Sequence, residues 1–174
     1  MARFVYKGRL NGEQPHGARK FLIGNSAAIT IGGAVASTGG YIVAGTAGAK
    51  IAGICVGITT KNGLPIANAS AASYSGTFVE STGVYTAAAD NATVDQVMAE
   101  IVMDKDALWE NDSAGDLAQA DVMGLFDLTS ATQIADQNGS ATAGAFQLIE
   151  INPNDASMGL FRIAESRLDY AVQQ

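Results

Sequence analysis

The chain has one cysteine, one histidine, one tryptophan and three prolines in 174 residues, and only 16% of those residues are charged. A single cysteine leaves no internal disulfide and no thiolate zinc site, which needs several ligands. The lone histidine, His16 in GEQPHGARK, removes most imidazole-based metal and acid–base chemistry. Its flanking proline and glycine suggest an exposed position. From so thin a set of reactive side chains no catalytic, metal or cofactor site is expected. No stretch reaches eighteen apolar residues without a glycine or polar break, and the opening MARFVYKGRLNGEQPHGARK lacks the apolar centre of a secretory signal. The chain is therefore expected to be made and used without crossing or entering a membrane.

What is present is alanine, glycine and short β-branched runs. Hydrophobic residues reach 48% and there are 20 glycines. The length suits one domain with a proper core. Charge is unevenly placed: Arg3, Lys7, Arg9, Arg19 and Lys20 against Glu13 give residues 1–20 a balance of +4, so the rest of a chain of net charge −7 carries −11. An acidic body disfavours nucleic acid, which binds clustered cations. The basic leader, residues 1–24, reads as an extended arm, solvated or docked on an acidic partner, ahead of a single domain over 25–174.

Between residues 27 and 58, AAITIGGAVASTGGYIVAGTAGAKIAGICVGI breaks into short runs separated by glycine every eight to ten residues. That punctuation predicts a small antiparallel sheet or barrel, with AITI, YIVA and KIAGICVGI as strands. Lys61-Asn62-Gly63 is a turn and residues 67–83 a loop or weak edge. GVYTAAA resumes strand text, and residues 93–103 read as a strand from about Gln96, with a helix capped by Thr93 as the alternative. DKDALWENDSAGD reads as an acidic loop, LAQAD as a short helical turn and VMGLFDL as a strand. A turn follows at residues 136–140, and then the pair AFQLIEI and MGLFRI. The predicted fold is mainly β: a small single-domain barrel or sandwich, the jelly roll among the architectures that fit, with at most short helices.

Gly53-Ile54-Cys55-Val56-Gly57 spells a nucleophile elbow with cysteine for serine. An elbow needs a helix directly after the nucleophile, and ITTKNGLPI cannot begin one. Cys55 is expected to be a buried thiol in a strand, with Gly53 and Gly57 where neighbouring strands pass closely. Gly45-Thr46-Ala47-Gly48-Ala49-Lys50 lacks the spacing of a phosphate loop and reads as a hairpin. The carboxylates at 104, 106, 110, 112 and 116 do not follow a calcium-loop pattern. The Asn-x-Ser/Thr triplets at Asn68, Asn91, Asn111 and Asn138 are expected by chance.

The order of these elements, from AITIGGAVASTGG through DNATVDQVMAEIVMD and VMGLFDL to INPNDASMGLFRIAESRLDY, resembles small head proteins of tailed phages, in particular capsid decoration or cement proteins. The resemblance covers most of the chain from about Ile29 and lies in texture and element order. It implies a non-enzymatic virion protein, assembled in the host cytoplasm, that binds the outside of the capsid. Its partners would be the major capsid protein and further copies of itself, as dimer or trimer, with no nucleic acid and no membrane. In that role Arg3, Lys7, Arg9, Arg19 and Lys20 are the expected polar anchors, and Phe4 and Tyr6 the apolar ones; Phe21 is expected in the core. A fibre, tail or adhesin module using Tyr74 and Phe78 is the second reading, and a hydrolase using Cys55 the third.

Overall fold

The computed structural model describes residues 2–10, 12, 17–134 and 144–165. His16, the turn at 136–140 and Asn138 lie outside them. In chain order the strands are β1 (Val5–Arg9), β2 (Arg19–Leu22), β3 (Ala28–Thr30), β4 (Ala34–Thr38), β5 (Tyr41–Ala44), β6 (Gly53–Thr59), β7 (Thr77–Val79) and β8 (Val84–Thr86). They continue as β9 (Met98–Val102), β10 (Ala107–Asp112), β11 (Leu125–Phe126), β12 (Leu128–Ser130), β13 (Gln133–Ile134), β14 (Phe146–Ile151) and β15 (Met158–Ile163). Single 3₁₀ turns at Ile66–Asn68, Ala71–Ser73 and Gln119–Asp121 are the helical elements among the described residues. The mainly β expectation holds.

Three antiparallel sheets form. The first runs β1-β10-β15-β14-β11, the second β2-β9-β6-β4-β5 and the third β3-β8-β7, with β12 and β13 as a separate hairpin. Ile23 bridges Ile42 in parallel, drawing β5 back toward the start of the second sheet without closing a barrel. The arrangement is that of a small sandwich.

Strand periodicity explains how the layers pack, because neighbouring residues face opposite ways. Ala34, Ile54 and Val102 join one core, built with Phe4, Trp109, Phe126, Phe146 and Phe161 under the first sheet. Their neighbours Val35, Cys55 and Ile101 join the other, with Ile23, Ile29, Ile42, Ile58 and Tyr85. The second sheet thus carries a core on each face. Glycine permits the approach: a Cβ at Gly53 would collide with the Val102 carbonyl oxygen, and one at Gly57 would sit 2.6 Å from Glu100 Oε2.

Several expectations change. The leader is no detached arm, since β1 pairs with β10 (Val5 opposite Glu110) and β2 with β9 (Phe21 opposite Ala99). Its two strands join different sheets, β1 the first and β2 the second, so the leader forms a strap that contributes to both. The expected acidic loop contains β10, whose burial alternates residue by residue and places Trp109 at 1% exposure. Its carboxylates occupy the outward positions, so counting charge hid the alternation. AVAST is a further strand, β4, whereas TFV, as β7 at the edge of the third sheet, fits the weak edge expected over residues 67–83. The strand expected near Gln96 begins at Met98, after a turn in which Gln96 has φ 50°. VMGLFDL is broken between β11 and β12.

Candidate functional site

The seven leader residues expected to bind a partner divide into two groups. Phe4 is 4% exposed, stacks on Phe146 with ring centroids 4.8 Å apart, and its amide donates to the Gly32 carbonyl at 2.8 Å. Tyr6 is half-buried with its ring edge-on to Trp109 at 5.5 Å. Arg9 is an internal anchor: its side chain is 6% exposed and that of Asp104 3%, with Nε and Oδ2 2.6 Å apart. Asp106 adds a contact at 3.5 Å. All three make contacts inside the protein, Phe4 and Arg9 from buried positions and Tyr6 from a half-buried one. A buried guanidinium needs this company, because an unpaired charge in the interior is costly.

Arg3, Lys7, Arg19 and Lys20 remain at the surface. Alternation in β1 turns Val5 and Lys7 away from Tyr6, onto the outer face of the first sheet, and Arg3 lies just ahead of the strand with its guanidinium beside Gly83. Lys7 pairs with Glu110 at 2.9 Å and Lys20 with Glu100 at 3.4 Å, both partly exposed. The aliphatic part of Arg3 lies over Gly32, where a Cβ would sit 3.1 Å from its own. Two shallow depressions flank β1. One of about 280 Å³ is lined by Lys7, Glu110, Glu150, Ile151, Pro153 and Leu160. The other, of about 370 Å³, is lined by Ala2, Arg3, Val5, Asp112 and Met158. Val5, 49% exposed, lies between the two basic residues and offers an apolar contact.

Cys55 sits in mid-strand at 0% exposure, with its thiol 3.3 Å from the Gly57 carbonyl oxygen. Burial, with the nearby Glu100 charge adding to it, lifts its pKa from 9.0 to about 12. An inaccessible, protonated thiol cannot act as a nucleophile. The 45–50 segment connects β5 to β6, and its Gly48 amide donates to the Asp127 carboxylate at 2.8 and 3.0 Å. A carboxylate there repels phosphate.

Three polar residues with structural roles escaped the sequence reading. Asn91, fully buried, donates to the carbonyls of Ile23 (2.7 Å) and Val97 (3.2 Å) and accepts from the Val97 amide. Asn111, also fully buried, clamps the β12–β13 hairpin through the Thr132 carbonyl and the Ile134 amide. Asp104 is the partner of Arg9. Asn91 and Asn111 stood out only as chance Asn-x-Ser/Thr triplets and Asp104 only as one of several clustered carboxylates, and nothing in the local text marked their buried partners. Tyr74 and Phe78 pack half-buried against the second core, Tyr74 edge-on to Tyr85 at 5.9 Å.

Comparison with protein-family models, with curated proteins and with solved structures gave no match for this chain.

Proposed function

We propose that this protein is a contact protein of a phage capsid, binding the outside of the assembled shell along its leader edge and stabilising contacts between shell subunits. The observation that supports the reading is the exposed pair Val5 and Lys7 on β1 with Arg3 just ahead of it, flanked by two depressions, and the exposed Arg19 and Lys20 on β2 of the second sheet. Because β1 pairs with β10 and β2 with β9, Lys7, Arg19 and Lys20 are presented from paired strands and little chain entropy is lost on binding. An acidic rim on the shell would complement them, and many symmetric copies would multiply a modest affinity.

The half-buried packing of Tyr74 and Phe78 weakens the adhesin alternative, and burial of Cys55 weakens the hydrolase. Co-sedimentation with assembled shells, set against unassembled shell subunits, tests the proposal. Binding to shells alone is expected. It should fall in the combined Arg3→Ala, Lys7→Ala, Arg19→Ala, Lys20→Ala variant and at about 1 M salt, where the Debye length is roughly 3 Å. Equal binding to both preparations, or none to either, would overturn it.

A further inference from the structure

We infer that the leader strap exchanges between copies of this chain, the strap of one copy filling the slot of a second. The slot is made wholly of residues beyond the strap. Phe4 meets Phe146 and the Gly32 carbonyl, Tyr6 meets Trp109, and Arg9 meets Asp104 and Asp106. On the second sheet the Ile23 amide donates to the Val97 carbonyl and the Gly24 amide to that of Ile42. None of these acceptors or ring partners belongs to the strap. A slot of this composition receives an identical strap from another copy with the same pairing, the same ring contacts and the same ion pair.

The strap joins the rest of the fold through one tight turn, residues 24–27, closed by the Ala27 amide donating to the Gly24 carbonyl at 3.1 Å. Ser26 in that turn has φ 57°, a left-handed conformation that side chains with a Cβ rarely adopt. Opening the turn into an extended hinge relieves that strain, and strained short hinges favour exchange of the element they carry. Against opening stand the Asn25 side chain, which accepts from the Ala92 amide at 2.8 Å, and the Ser26 amide bond to Ala88 at 3.0 Å. The pairing of β1 with β10 and of β2 with β9 that is lost from one copy is remade on the other, so the exchanged and unexchanged states differ at the turn. The proposal does not depend on what the protein binds.

Val5 and Glu110 are direct cross-strand partners, and both side chains face outward. A cysteine at each therefore reports the pairing, because antiparallel partners stand at disulfide-forming distance. Chains carrying Val5→Cys and chains carrying Glu110→Cys are refolded together, oxidised mildly and separated without reductant. A pair of Val5→Cys with Ser70→Cys serves as control, Ser70 being exposed in the 67–76 segment. The expected result is a covalent heterodimer at twice the chain mass in the first mixture, well above the control, and a reduced yield when Ser26→Gly is added to both chains. Native mass spectrometry of the unsubstituted chain, refolded at the same concentration, is expected to show a dimer. A heterodimer no more abundant than the control, a yield that Ser26→Gly leaves unchanged, or an unsubstituted chain that is wholly monomeric would each overturn the inference.

Discussion

The two cores are built from different materials. Under the first sheet the interior is aromatic, with Phe4, Trp109, Phe126, Phe146 and Phe161 all at or below 4% exposure, and Phe126 set edge-on to Phe161 at 5.7 Å. The core between the second and third sheets is made of isoleucines with Val35, Ala52, Cys55, Ala99 and one large ring, Tyr85. Large rings hold the first core through a few extensive contacts, so each is costly to truncate. Small and branched side chains hold the second through close backbone approach, so it tolerates loss better than addition. The strap contributes to both: Phe4 enters the aromatic core and Ile23 the aliphatic one.

The largest effect should come from the aromatic side. Phe146→Ala removes a fully buried ring that stacks on Phe4, and a loss of about 3–5 kcal/mol in urea denaturation is expected. Next is the ion pair that ties the strap down: Arg9→Met leaves Asp104 buried without its cation, at a loss of about 3 kcal/mol. Adding Asp104→Leu to that variant should restore most of it, showing that the uncompensated charge was the damage. In the aliphatic layer Gly53→Ala forces β6 away from β9 and should remove about 1–3 kcal/mol, a cost of addition rather than truncation. At the surface, Lys7→Ala breaks only a partly exposed pair with Glu110 and should change stability by less than about 1 kcal/mol.

A pH series sharpens the same contrast, because the titrating groups that burial has raised lie in the aliphatic core. The thiol of Cys55 ionises near 9.0 when unburied and at about 12 in the fold. Tyr85 moves from 10.0 to about 12, chiefly through burial and then through the Asp95 charge. Both folded values are raised, so the native state keeps protons that the unfolded chain releases. Stability from these groups is whole below pH 9 and declines as pH rises from 9 toward 12. Denaturation midpoints should fall over that window, and Cys55→Ala should flatten its lower part. An unchanged profile in that variant would remove Cys55 as the cause.

Much of the fold was legible because alternation and glycine punctuation are local signals. AITI, YIVA, KIAGICVGI, AFQLIEI and MGLFRI lie within or across β3, β5, β6, β14 and β15. The inert reading of Cys55 followed from the residues after it. The strap was hidden because the pairing of Val5 with Glu110 joins residues more than a hundred positions apart, and no local pattern reports such a partner. Charge misled in the same place: Arg9 looks like its neighbours Lys7 and Arg3, and only Asp104, distant in sequence, makes it internal. β10 was hidden by its own outward carboxylates, Glu110 and Asp112. Arg3, Lys7, Arg19 and Lys20 were read as surface cations from residue type alone, and they lie exposed or half-buried in the fold. Deleting residues 1–20, an obvious experiment on a detached arm, would remove Phe4 and Arg9 from the interior; point substitutions are the informative probes.

Native-state amide hydrogen exchange tests most directly whether the leader is an integral strap bridging both sheets. The amides of Phe4, Leu10 and Ile23 donate to the carbonyls of Gly32, Asp106 and Val97 at 2.8, 3.1 and 3.1 Å. They should exchange slowly, with protection approaching that of β9 and β10. Exchange of all three at the rate of an unstructured peptide, beside protected amides in β9 and β10, would contradict the account.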